Sequence, residues 1–154
     1  TKEGDMATDR TAGTEIIRCI SNEDVTNANA TFIVGVQHHI YTVLSMTIHC
    51  LALDAANPYF QVLMGCYDSL GGTTGQNIRI FKCKPGVDET FVWNERFSFN
   101  GYEPVDFAGP ADNATKHDAL VDQGGSAAQT LFGSGTNSGD RYDISCTYID
   151  QNNA

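Results

Sequence analysis

Basic residues are scarce in this chain. Nine Lys and Arg stand against nineteen Asp and Glu over 154 residues, a formal net charge of −10. A body this acidic repels phosphate backbones, and no basic stripe is present to offset it, so nucleic acid and anionic membrane surfaces are excluded as natural partners. Charge of either sign is also low: Asp, Glu, Lys and Arg make up 18% of the chain, against roughly 25% in ordinary soluble domains. A polar but weakly charged exterior suits contact with other proteins. No apolar run approaches the roughly 20 residues that a membrane-spanning helix needs. The first residues, TKEGDMATDR, are polar and carry no signal-peptide pattern. They read as a flexible arm over residues 1–13, whose initial Thr is compatible with removal of an initiator Met.

Short-spaced motifs are absent too. The five cysteines, at 19, 50, 66, 83 and 146, are odd in number and form no C-x-x-C pair. This argues against a disulfide framework. Several lie in apolar segments, where a free thiol behaves as a small buried hydrophobe, and a single disulfide is the alternative. His38, His39, His49 and His117 show no metal-ligand spacing. Adjacent strand residues diverge, so neither His38 with His39 nor His49 with Cys50 forms a working pair. Gly71-Gly72-Thr73-Thr74-Gly75 lacks the Gly-Lys-Ser/Thr ending of a phosphate loop and precedes a strand, so it reads as a turn. Acidic residues gather near apparent loops at Asp54, Asp68, Asp88, Glu89, Asp106, Asp112, Asp118, Asp122 and Asp140. A pair of them could serve glycoside hydrolysis, and oxygen-rich loops could hold structural calcium, but the spaced pattern of a calcium loop is missing. Trp93, Tyr59, Tyr67 and Tyr102 could stack on sugars, although one Trp on an apolar strand face fits core packing better. Asn29 and Asn113 head Asn-x-Thr sequons, expected as chance matches in an Asn- and Thr-rich chain.

What is present is a run of strand-like segments from Thr31 to Phe99: TFIVGV, HHIYTV, MTIHCLAL, YFQVLMGCY, NIRIFKC, ETFVW and RFSF. β-Branched and aromatic residues crowd them, as strands prefer. Glu15–Ile20 reads as a first strand and Ser21–Ala30 as a loop of turn formers. Thr31–Val43 is one strand or two broken near Gly35–Gln37. Met46, Ile48 and Cys50 alternate with Thr47, His49 and Leu51. Apolarity on both faces there predicts a central strand or an oligomer contact. Phe60–Cys66 and Ile78–Cys83 alternate in the same way. Phe91 and Trp93 pair with Phe97 and Phe99 as a hairpin through Asn94-Glu95. Short strands with regular turn signals predict an all-β fold: a single β-sandwich (jelly-roll-like) over residues 14–154. Residues 100–139, rich in Gly, Ala, Asp, Ser and Asn, read as a long loop insertion before the last strand, with a short helix at Ala114–Asp122 and a flexible tract at Gly133–Gly139. Loops of such length are usually functional or ordered by a partner. Tyr142–Ile149 alternates cleanly as the terminal strand.

The order HHIYTV, MTIHCLALDAAN, YFQVLMGCYD, a Gly-rich loop, IRIFKCKPG and FVWNERFSFNGYEPVD resembles β-sandwich structural proteins of tailed-bacteriophage virions, of the decoration or small head or tail fitting type. The likeness covers His38 to Asp106. Leu44-Ser45-Met46 stands where such proteins often place a Pro-x-Gly turn. The resemblance implies a non-enzymatic virion protein, assembled in the host cytoplasm, that forms a homo-oligomer, often a trimer, and docks on a capsid or tail protein. It implies no catalytic, cofactor-binding or metal-binding residues and no cofactor. A lectin-like carbohydrate-binding module is the alternative expectation, and a β-sandwich hydrolase a third.

Overall fold

The computed structural model describes residues 14–68, 71–72, 75–103, 110, 112–115 and 127–152. Among the described residues nine strands are formed: β1 (Thr14–Val25), β2 (Ala30–Val34), β3 (His39–Ala52), β4 (Phe60–Cys66), β5 (Gln76–Cys83), β6 (Thr90–Trp93), β7 (Phe97–Asn100), β8 (Thr130–Gly135) and β9 (Arg141–Asn152). Sheet A runs β1-β9-β3-β6, with β7 also paired to β3, and sheet B runs β2-β8-β4-β5. All pairings are antiparallel. β6 and β7 lie end to end along β3, opposite Met46–His49 and Ile40–Val43 respectively, and together act as one strand. Successive strands then alternate between the sheets except at β4–β5, which pair as neighbours in sheet B, giving the order of an eight-stranded jelly roll. The β-sandwich expected from the strand run is the fold.

The central strands bury one face each. Val43, Met46, Ile48 and Cys50 of β3 and Tyr142, Ile144 and Cys146 of β9 meet Phe60 and Val62 of β4, Phe81 and Cys83 of β5 and Leu131 of β8 in the core. Alternate residues point outward because the side-chain period of a strand is two. At the flank where β5 lies under β6, Phe81 stacks on Trp93 with ring centroids 4.9 Å apart and lies 5.2 Å from Phe91. The opposite flank has β1 beside β2, tied by a hydrogen bond from Asn22 Nδ2 to the Thr31 carbonyl.

Several sequence expectations are corrected. β1 continues through Ser21–Val25, because its ladder to β9 supplies partners that local turn propensity does not register. The HHIYTV and MTIHCLAL segments are one strand, with a bulge between Val43 and Ser45 that re-aims the chain without ending it. The Phe91–Phe99 hairpin does not form, since both of its arms pair with β3. The insertion is shorter than residues 100–139, because β8 occupies the middle of sheet B. Its glycines are packing residues: a Cβ on Gly133 would stand 2.7 Å from the Phe60 ring, and one on Gly135 3.0 Å from the Tyr142 ring. The remaining excursion opens and closes at one neck, where Tyr102 bridges to Ala128 and Glu103 N–H donates to the Ala127 carbonyl. The flexible arm assigned to residues 1–13 and residues 116–122 of the expected helix lie outside the described residues.

Backbone hydrogen bonds tie the neck. Gly35 N–H donates to Gln129 O at 2.7 Å, Gln129 N–H to Gly101 O at 2.8 Å, and Gly101 N–H to His39 O at 2.9 Å. A Cβ on Gly101 would sit 1.9 Å from the Val36 carbonyl oxygen, with no flexible side chain to yield. Gly101→Ala is therefore expected to cost about 3 kcal/mol, at the upper end for overpacking. Gly65→Ala, whose Cβ would meet nothing nearer than 3.5 Å, should shift stability little. Urea unfolding of the two variants beside the parent chain measures the difference.

Candidate functional site

β1 is unlike every other strand. Thr14 to Cys19 are exposed, including both alternating sets of side chains. Ile16 keeps 44% and Ile17 69% of its surface accessible. β9 covers one edge of β1, and among the described residues no strand covers the other. Register assigns its faces. Ile20 opposes Cys146 and Arg18 opposes Tyr148, so Ile16, Arg18 and Ile20 look toward the interior side and Glu15, Ile17, Cys19 and Ser21 outward.

The outward face of sheet A continues from β1 with cross-strand polar pairs, beside the exposed Val92. Thr42 and Ser98 share a hydrogen bond at 2.9 Å, Thr47 bonds Ser145, and His49 Nδ1 and Thr90 Oγ1 lie 2.7 Å apart. These cross-strand pairs satisfy one another and leave few donors demanding water. β3 is thus a central strand as expected, with its inner face fully buried and Thr47, His49 and Leu51 half-buried on the outer one.

At the end of sheet A, three strands bring charges together. Asp150 of β9 is 8% exposed. Its Oδ2 accepts from Arg18 Nε at 3.0 Å and its Oδ1 lies 2.6 Å from His39 Nδ1. The His39 ring stacks on Tyr41, whose hydroxyl accepts from the Val36 N–H at 3.1 Å. Burial is the main cause that pushes the Tyr41 hydroxyl up to about 12, with the Asp150 charge adding to it. Neither Arg18 nor Asp150 stood out in the sequence. The signal that joins them is the diagonal offset of two residues across the β1–β9 register, which needs the pairing to be known.

On the other flank a groove of about 610 Å3 opens between β5 and the turn before β6, lined by Lys82, Cys83, Lys84, Pro85, Glu89, Thr90 and Phe91. Lys82 Nζ sits 3.8 Å over the Tyr59 ring. Glu89 is occupied locally, its Oε1 accepting the Gly86 N–H at 2.6 Å.

Most residues singled out in the sequence serve the fold. Asp140 is fully buried and accepts from Asp54 N–H at 2.8 Å and Asn137 Nδ2 at 2.9 Å, closing the β8–β9 turn onto the β3–β4 loop. Asp68 caps the Gly71 N–H at 3.0 Å. Asp88 takes a left-handed φ of 66° and donates its N–H to Cys50 O. His38 has φ 72° in the turn before β3, a conformation His tolerates better than most residues. Trp93 is stacked in the core flank and Tyr59 lies under Lys82, so with Tyr102 at the neck they do not form one stacking platform. Asn29 and Asn113 are exposed and Asp112 lies beside Asn113. His117, Asp106, Asp118 and Asp122 lie outside the described residues. Among the described residues no group of three or more His, Cys, Asp or Glu is placed to hold a metal.

All five cysteines are free. Cys50, Cys83 and Cys146 are buried, and burial pushes the Cys83 and Cys146 thiols up to about 12 and raises Cys50 as well. Thiols held protonated are poor nucleophiles. Cys19 alone is exposed, on the outer face of β1.

No protein family matches the sequence, and no curated protein matches it. Among solved structures, the chain is similar over 92% of its length to 88% of a protein from Bacillus endospore appendages, described as a family of disulfide-linked pili, with TM-score 0.41 and 11% identity. It is also similar to chains from infectious bursal disease virus. One is from the T13 viral particle, with TM-score 0.37 and 5% identity, over 93% of this chain and 36% of that one. Another is from the Gx strain, with TM-score 0.32 and 6% identity, over 91% and 32%. At these scores the likenesses assign neither a family nor an activity.

Two outcomes follow from the charges and thiols. Asp150→Ala should destabilise the chain by about 2 kcal/mol, the range for a buried carboxylate with charged donors; thermal and urea unfolding measure it. The buried thiols make stability alkali-sensitive. Their folded pKa values lie above the unfolded ones, so the contribution is complete below about pH 8 and is lost as pH rises from roughly 9 toward 12. Under reductant, the urea midpoint should be lower at pH 10.5 than at 7.5, and Cys83→Val should remove part of that drop.

Proposed function

We propose that this chain is a non-enzymatic structural protein of a virus particle, a capsid decoration or head or tail accessory of tailed-phage type, that forms a homo-oligomer and docks on another virion protein. One observation carries the reading: the first half of β1, Thr14–Cys19, is an edge open on both faces, with Ile16 and Ile17 exposed. Soluble proteins blunt such edges with Lys, Pro or covering segments, because an open edge recruits another chain. β1 has neither Lys nor Pro. The jelly roll supports the reading by analogy, since capsid and lectin domains both use it. The face of sheet A beside β1 suits contact with a protein surface, because its Thr42–Ser98 and Thr47–Ser145 hydroxyls are already paired. The lectin alternative lacks such support, because the candidate aromatic residues lie at separate places.

The test is to purify particles from an infected host, locate the chain by mass spectrometry, and image particles from which its gene has been deleted. The expected result is a copy number in the tens or more per particle and loss of a regular surface or tail feature on deletion. Absence from particles, together with saturable binding on a glycan array, would replace this reading with the lectin one.

A further inference from the structure

We infer that the open edge of β1 pairs with the open edge of β5 on a second copy of this chain, a head-to-tail contact that joins sheet A of one protomer to sheet B of the next. The inference rests on the self-assembly part of the proposed function and adds the two surfaces that meet. β1 ends sheet A at one flank, and β5 ends sheet B at the other. Each has one edge with no strand on it among the described residues.

Charge selects this pair. Three of the chain's nine basic residues, Arg79, Lys82 and Lys84, fall within or just after β5, and all three are exposed. β1 carries Glu15 and Glu23, both exposed. Its other charges, Arg18 and Asp24, are neutralised within the protomer by Asp150 and Arg141. An acidic edge therefore faces a basic one in a chain whose net charge of −10 opposes indiscriminate association. Pairing β1 with β1, or β5 with β5, would set like charges across the ladder.

Shape agrees. When the second copy is turned over about the line joining the two, its sheet A lies level with sheet B of the first, and both outer faces fall on the same side. Arg79 and Lys82 lie on the outer face of β5, opposite Leu63 and Gln61, and Glu15 is on the outer face of β1. The interior-facing Ile16 then comes to the mouth of the groove beside β5, whose lining includes Phe91, Cys83 and Pro85. Ile78 of β5, 43% exposed and on the interior-facing side opposite Met64, is brought toward Ile20 on the same side of β1. New backbone hydrogen bonds give this contact strength, and the side chains give it register. Because the two surfaces differ, repetition closes into a ring or extends as an open chain.

The test uses the full chain by sedimentation velocity over a concentration series. Two variants reverse one edge each: Glu15→Lys/Glu23→Lys and Arg79→Glu/Lys82→Glu, with unfolding curves checking that each is folded. The wild type should assemble. Each variant alone should associate at least tenfold more weakly, and an equimolar mixture of the two should recover assembly, since each variant then offers the edge that the other needs. Wild-type assembly with variants that assemble equally well, or a mixture that recovers nothing, overturns the β1–β5 contact and leaves the structural reading standing. A wild type that stays monomeric at every concentration overturns this contact and the homo-oligomer together.

Discussion

The antiparallel ladder between β3 and β9 is the constraint on which the rest of this structure depends. It runs from His39 opposite Asn152 to Ala52 opposite Arg141, joining strands some hundred residues apart at the middle of sheet A. The same register puts Met46 beside Cys146 and Ile48 beside Ile144, filling the inner face with fully buried side chains. Of its two register shifts, the one near Leu44 accompanies the break between β6 and β7 on the other side of β3, and the second lies between Cys50 and Ala52. A one-residue slip would carry Tyr142, Ile144 and Cys146 to the outer face and bring Asp143, Ser145 and Thr147 into the core.

The ladder also decides what the surface offers. β9 pairs with β3 on one side and β1 on the other, and among the described residues no strand covers the second side of β1. Asp150 anchors that edge by meeting Arg18 from β1 and His39 from β3. The chemistry-bearing residues are largely consumed by the fold. Buried thiols stay protonated, acids cap turns, and hydroxyls pair across strands. What remains outward among the described residues is an open edge and a charge pattern, and the proposed binding to other chains starts from these.

Much of the fold was legible locally. Alternation in Phe60–Cys66 and Tyr142–Ile149 reports a face directly, since a strand repeats every two residues. The misreadings share one cause. Ser21–Val25, Leu44-Ser45 and Gly133–Gly135 carry turn-forming residues, yet each lies in a strand because a neighbour supplies its partners. In Gly133 and Gly135 the small residue leaves room for Phe60 and Tyr142, and nothing near them in sequence announces those rings.

Taken alone, the order of residues determined the all-β class, the sandwich, much of the strand alternation and the acidic, weakly charged character. These follow from composition and from periodicity, which are properties of neighbours along the chain. Only the tertiary structure decided that β6 and β7 form one line, that β1 and β5 are the open edges on opposite flanks, and that Arg18, Asp150 and His39 meet. Those facts depend on which strands pair and in what register. The free energy of pairing is gained across a hundred residues or more, and no local pattern records it.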